Sequence, residues 1–215
     1  MTPPEARIIE CIEALRATRA RPIVVALDGG SGAGKSTIAE GIARRTGVAL
    51  VPLDDFYQTS IPESEWPRRS VAERLARVFD WPRVRRDALE PLRRGEPGRW
   101  HTFDFVRGLG ESGTYRLKDE ATEVAPAPTI LLEGAYSASP PLRDLVDLAV
   151  LVQVPVEIRH RRILAREEGG DESTTDWIFD WHAIWDEVET HYFERVCPPG
   201  SFDLVIPNDD GAAGS

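Results

Sequence analysis

The stretch Leu27-Asp28-Gly29-Gly30-Ser31-Gly32-Ala33-Gly34-Lys35-Ser36-Thr37 spells a complete G-x-x-x-x-G-K-[ST] phosphate loop. The apolar run Ile23-Val24-Val25-Ala26-Leu27 precedes it and the helix-compatible Ile38-Ala39-Glu40-Gly41-Ile42-Ala43 follows, so the order is strand, loop, helix. Glycines carry no Cβ, and the backbone from Gly29 and Gly30 through Ser31, Gly32, Ala33 and Gly34 can therefore turn tightly enough for several N–H groups to face one phosphate. The helix start at Lys35 adds partial positive charge at the same spot. Lys35 reaches the outer phosphates, Ser36 can ligate magnesium, and Thr37 completes the motif. A Gly-rich turn that merely joined a strand to a helix would have no need of Lys35-Ser36-Thr37, so the segment implies binding of a nucleoside triphosphate.

Working outward, four further runs are nearly continuous in Val, Leu and Ile: Val48–Val51, Thr129–Leu132, Leu148–Val154 and Phe202–Ile206. Continuous rather than alternating apolar runs mark strands buried on both faces. Helix patterns lie between them, including residues 5–18, with Ile8, Ile12 and Leu15 on one face, and residues 71–80, opened by the capping box Ser70-x-x-Glu73. The expectation is an α/β fold with a doubly wound parallel sheet of about five strands. Residues 91–114, rich in Gly and Arg, and residues 120–128, rich in Ala and Pro, read as irregular connections.

The 215 residues suit one domain, 1–215, carrying an insertion at about 56–125. A formal charge of −10 argues against a nucleic-acid partner. No apolar run approaches the roughly 20 residues that span a bilayer, so no membrane partner is expected. Cys11 and Cys197 stand alone, without metal-ligand or CxxC spacing, and the first residues lack a secretory apolar region, which fits a reducing cytoplasm. The partner these features leave is a small molecule.

In open α/β sheets the carboxyl ends of strands line the ligand crevice, and the second run ends in Val51-Pro52-Leu53-Asp54-Asp55-Phe56-Tyr57. One carboxylate there can accept the proton of an attacking hydroxyl or help hold magnesium; Asp55 can equally cap the next turn. If the strand stays extended through this point, Asp54 and Asp55 face opposite ways and only one is catalytic. The third run ends in Ile130-Leu131-Leu132-Glu133-Gly134, an acid after apolar residues that can orient magnesium. Arg159, Arg162 and Arg166 recur at i, i+3 and i+7 on one helix face, ahead of Gly169-Gly170. They suit a cationic lid at about 159–176 that closes over a transferring phosphoryl group, or else a solvated face paired with Glu167 and Glu168. Trp177, Trp181 and Trp185 form a core-type helical stripe. Trp66, Trp81 and Trp100 either wall a substrate pocket or pack the insertion, and His182 and His191 fall on the flanks of the Trp helix.

Together the phosphate loop, Asp54-Asp55-Phe56-Tyr57, Phe79-Asp80-Trp81-Pro82, Phe103-Asp104-Phe105, Leu132-Glu133-Gly134, the arginine helix and Phe202-Asp203-Leu204-Val205-Ile206-Pro207 resemble the uridine kinase and phosphoribulokinase family in order and spacing, over nearly the whole chain. The resemblance implies a P-loop kinase that uses ATP and Mg2+ to phosphorylate an alcohol, with a mobile helical lid and relatives that are often multimeric. It assigns Asp54 as catalytic base and Lys35, Arg162 and Arg166 to the phosphoryl group. Ser36, Glu133 and Asp54 fall to magnesium, and Tyr57, Asp80, Phe103 and Arg159 to the acceptor. A hydrolysing nucleotide switch would share the loop but need a water-orienting residue and a partner surface. In uridine kinases a histidine and an arginine that help recognise the pyrimidine follow the segment matching Phe103-Asp104-Phe105; here Val106-Arg107-Gly108-Leu109-Gly110 follows, with no such histidine. Uridine is therefore expected to be a poor acceptor.

Overall fold

The computed structural model describes residues 1–167 and 184–208. The chain runs α1 (Pro3–Arg16), β1 (Ile23–Asp28), α2 (Lys35–Thr46) and β2 (Ala49–Pro52), then a 3-10 turn at Leu53–Phe56. After α3 (Val71–Arg77) come α4 (Trp81–Arg83), a π-wound segment Val84–Leu89 and α5 (Glu90–Arg93) without a break. β3 (Gly98–Phe103), β4 (Leu117–Val124), β5 (Thr129–Glu133), β6 (Leu148–Gln153), α6 (Val156–Glu167) and β7 (Leu204–Pro207) follow; residues 184–191 are also helical.

The five apolar runs form one sheet in the order β2-β5-β1-β6-β7, parallel throughout. Their side chains alternate between two covered faces. Ile23, Val25 and Leu27 pack with Ile8 and Ile12 of α1 and Ile38 and Ile42 of α2, while Val24 and Ala26 belong to a second core with Phe56, Phe79, Trp81, Trp100, Val188 and Tyr192. All six β1 residues are buried. Because β1, β5 and β6 have apolar partners above and below, hydrophobic burial at about 25 cal/mol per Å2 favours this layering from both sides, while edge strand β7 leaves Val205 exposed.

Local expectations hold with small shifts. The first helix begins two residues earlier than its apolar pattern because Thr2 caps it, its side chain accepting from the Glu5 N–H while Glu5 reaches back to the Thr2 N–H. Ser70 and Glu73 form the same box on α3, which stops at Arg77 instead of continuing to Asp80. Gln58 N–H bonds to Val78 O and Asp80 N–H to Phe56 O, which pulls residues 78–80 out of the helix and onto the 53–58 segment.

One reading is overturned. Residues 91–114 and 120–128 are not wholly irregular: the first contains β3 and the second the later half of β4, an antiparallel pair with a register shift between His101 and Phe103. In β3, Gly98, Trp100 and Thr102 are buried and Arg99 and His101 exposed, and past the register shift Phe103 is buried as well. That is a period-2 strand, obscured in the sequence by the glycines and arginines around it. Trp66, Trp81 and Trp100 are core residues of the middle segment rather than pocket walls. Among the described residues no helix is long and apolar enough to cross a membrane. Of the tryptophan stripe, Trp177 and Trp181, together with His182, lie outside the described residues, while Trp185, Val188 and Tyr192 are buried.

Candidate active site

Strand register assembles the site. Leu27 pairs with Glu133 and Glu133 with Pro52, so the ends of β1, β5 and β2 lie side by side. The phosphate loop leaves the first, Glu133 ends the second, and Asp54 follows the third. Gly34 caps α2 in the left-handed region at φ 85°, which favours glycine, and a Cβ there would sit 2.7 Å from Asn208 Nδ2 and displace that side chain. At Gly29 a Cβ would come within 2.5 Å of Val152 O, the backbone of neighbouring β6.

Lys35 is buried, and its ammonium donates to Gly30 O at 3.1 Å, folded over the loop that it serves. Ser36 Oγ donates to Glu133 Oε1 at 3.1 Å. Burial pushes the Glu133 carboxyl above the ordinary range, with Lys35 opposing that shift and Asp54 adding to it. A buried carboxylate and a hydroxyl, with a second carboxylate close enough to act on the first, are hard oxygen donors that suit Mg2+.

The backbone turns at Leu53, so Asp54 and Asp55 do not alternate across an extended strand. Leu53 and Phe56 lie three apart in the 3-10 turn, share its inner side and are fully buried. Asp54 is left exposed at the strand ends, beside the Tyr57 hydroxyl, which it hydrogen bonds. Asp55 turns the other way and accepts from Trp100 Nε1 at 2.8 Å. Burial raises the Asp55 carboxyl while the indole N–H pulls it back. Asp55 therefore anchors Trp100 instead of capping a turn, as the 53–56 turn has no side-chain cap.

Beside Asp54 stands an aromatic wall. Tyr57 stacks on Phe79 at 4.7 Å and meets Phe103 and Phe105 edge-on at 5.5 and 6.0 Å. Asp80 caps α4, its Oδ1 accepting from the Arg83 N–H at 3.1 Å, and lies near the wall through its bond to Phe56 O.

The arginine helix meets the loop directly. Arg159 Nη1 donates to Ser31 O at 3.0 Å and pairs with Glu189 Oε1 at 2.5 Å, while Glu189 Oε2 accepts the Ser31 N–H at 2.8 Å. Arg162 donates to Asn208 O at 2.8 Å and approaches Gly32 O at 3.4 Å. These two arginines therefore share a face turned to the loop rather than to solvent. Arg166 lies on the last turn of α6, but its side chain, and residues 168–176 of the expected lid, fall outside the described residues.

Several site residues were not singled out from the sequence. Asp28, fully buried at the end of β1, accepts four hydrogen bonds: from the N–H groups of Gly29, Tyr136 and Ala138 at 2.7, 2.9 and 2.9 Å, and from the Tyr192 hydroxyl at 2.7 Å. Burial opposes its charge, yet four donors and no acceptor face it, so the network holds the anion. An acid closing an all-apolar strand was a readable signal. Glu189 and Asn208 gave none, because both reach the loop from more than 150 positions away in sequence.

No family profile matches the sequence. The uridine kinase of Lactobacillus helveticus is 29% identical over 195 residues, covering 87% of each chain. Among solved structures, a putative fructose transport system kinase from Silicibacter sp. TM1040 superposes with a TM-score of 0.65 at 22% identity, over 96% of this chain and 100% of that one. A possible uridine kinase from Bacillus stearothermophilus gives a TM-score of 0.59 at 18% identity, over 93% and 99%. The curated relatives named uridine kinase share 24–29% identity with this chain over most of its length, and the fold is that of the P-loop kinases.

Proposed function

We propose that this chain, a uridine-kinase-like P-loop kinase, transfers the γ-phosphoryl group of ATP to a hydroxyl of a small molecule other than a pyrimidine nucleoside. The observation that carries the reading is the convergence of Lys35, Ser36, Glu133 and Asp54 on one edge of the sheet, produced by the Leu27, Glu133 and Pro52 register.

The loop N–H groups and the α2 N-terminus hold the nucleotide phosphates. Lys35 moves from Gly30 O to the outer phosphate oxygens. Ser36 and Glu133, with Asp54 alongside, are the residues that would hold Mg2+, which when bound neutralises charge on the phosphates. The acceptor rests against Tyr57 and Phe103, with Asp80 at the rim to take a substrate hydroxyl. Asp54 accepts the proton of the attacking hydroxyl as its oxygen bonds to the γ-phosphorus, the bond to the β–γ bridging oxygen breaks, and ADP leaves. Arg159, Arg162 and Arg166 supply positive charge to the transferring group. The segment 106–110 holds no histidine, and its one polar side chain, Arg107, donates to Asp119 at 2.8 Å and pairs with Asp104, so the base-reading imidazole has no counterpart there.

Measuring acceptor-dependent ADP release across nucleosides, sugars and other alcohols tests this. The expected result is turnover with a non-pyrimidine alcohol and little with uridine or cytidine. Efficient, selective phosphorylation of uridine or cytidine would reject the substrate reading, and ATP hydrolysis indifferent to every acceptor would reject the kinase reading.

A further inference from the structure

Tyr136 is the one non-glycine residue, among those described, held at positive φ, at 68°. A side chain that large seldom occupies the left-handed region, and such strain persists where the surroundings hold it. Here Tyr136 N–H is fixed by Asp28 Oδ1 at 2.9 Å, two residues after Gly134 N–H bonds to Leu27 O. The segment is thus pinned across the β1 and β5 ends, three residues beyond Glu133. Its ring lies between Phe79, at 6.4 Å, and Tyr192, at 4.9 Å, and Phe79 in turn stacks on Tyr57.

The two neighbouring phenols are treated differently. Tyr192 gives its hydroxyl to Asp28. Tyr136 is only 5% exposed, and its hydroxyl has no hydrogen-bond partner among the described residues, although it is not sealed away from solvent as the orphaned Ser137 and Ser139 hydroxyls are. A hydroxyl that solvent reaches and no described residue engages is open to a hydrogen bond from a ligand. Burial raises the phenol pKa, Glu189, Asp28 and Asp186 add to the shift and Arg159 opposes it, and Tyr136 in turn acts on the Tyr57 hydroxyl that Asp54 bonds. Through Phe79 the Tyr136 ring adjoins the Tyr57 wall, and through its backbone bond to Asp28 it adjoins the start of the phosphate loop.

We propose that the Tyr136 hydroxyl hydrogen bonds a second, uncharged hydroxyl of the acceptor and so selects a neutral polyol or sugar over a monoalcohol or an anionic substrate. The proposal rests on the kinase reading above. Three acids against one arginine make the surroundings unfavourable for a carboxylate or phosphate on the acceptor, whereas a neutral hydroxyl carries no such penalty.

Tyr136→Phe keeps the ring between Phe79 and Tyr192 and removes only the hydroxyl. The KM for the acceptor should rise about tenfold, the worth of one well-placed neutral hydrogen bond, with the KM for ATP unchanged. The melting temperature should hold, because no hydrogen bond within the described residues is lost. Wild-type protein should prefer a neutral polyol or sugar to hydroxy acids, sugar phosphates and monoalcohols. A melting temperature several degrees lower would make the hydroxyl structural and overturn the proposal. So would an unchanged acceptor KM in an active variant, or a wild-type preference for an anionic acceptor, and each of these leaves the kinase reading intact. Wild-type protein inactive with every acceptor would overturn both.

Discussion

Asp54 and Asp55 are adjacent acids whose replacement should separate turnover from stability. Asp54 is exposed at the strand ends, so Asp54→Asn removes a proton acceptor without disturbing the core. A positioned general base contributes roughly 10²–10⁴ in rate, so turnover should fall by that factor while ATP affinity and melting temperature stay near wild type. Asp55 holds the indole N–H of Trp100, which is 1% exposed and central to the second core. Asp55→Ala leaves that donor without an acceptor, at a cost of about 1–3 kcal/mol. For a chain of this size each 1 kcal/mol is about 2–4 °C in melting temperature, so a drop of roughly 2–12 °C is expected. Asp55→Asn retains a carbonyl oxygen for Trp100 and should be milder. Arg83, which bonds the Asp55 backbone carbonyl at 3.1 Å, holds the turn in either variant. The comparison needs acceptor-dependent ADP release, ATP affinity and thermal melting on all three variants. If Asp55→Asn lost turnover at an unchanged melting temperature while Asp54→Asn turned over normally, the direction assigned to each carboxylate would be refuted.

Lys35→Ala and Ser36→Ala should each abolish phosphoryl transfer, and near-normal steady-state turnover in either would contradict the nucleotide site. Asp28→Asn places an amide N–H2 against two of four donors; with charged hydrogen bonds worth about 1.5–3 kcal/mol each and some relief from burying the charge, a loss of about 3 kcal/mol is expected in denaturant melts, and a loss below about 1 kcal/mol would dismiss the network. Asp147 is opposed by burial, but its bonds from Arg21 and the Val24 N–H prevail and hold its carboxyl below the usual range. Its contribution is therefore present above the unfolded value of about 3.9 and lost as pH falls through the lower folded value. Arg21→Ala should flatten this part of the acid limb of a stability–pH curve, modestly because Arg21 is exposed; an identical acid limb would count against the pairing.

The parallel sheet, the phosphate loop and the capping boxes were legible because each depends on residues close in sequence. Buried strands read as continuous apolar runs, loop glycines as backbone freedom beside Lys35-Ser36, and Ser70 and Glu73 as a three-residue spacing. The β3–β4 pair was hidden because only one of its faces is buried and glycines and arginines interrupt it. Strand order was also closed to the sequence, and it is strand order that sets Glu133 between Leu27 and Pro52. The direction of each acid at 54 and 55 depended on whether Leu53 and Phe56 found one core to enter, which is a property of the assembled faces. Arg159 could be picked out by its helical spacing. That Glu189 would hold it against Ser31, and that Asp28 would gather donors from residues 29, 136, 138 and 192, could not be, because hydrogen bonds between distant segments leave no period in the chain that makes them.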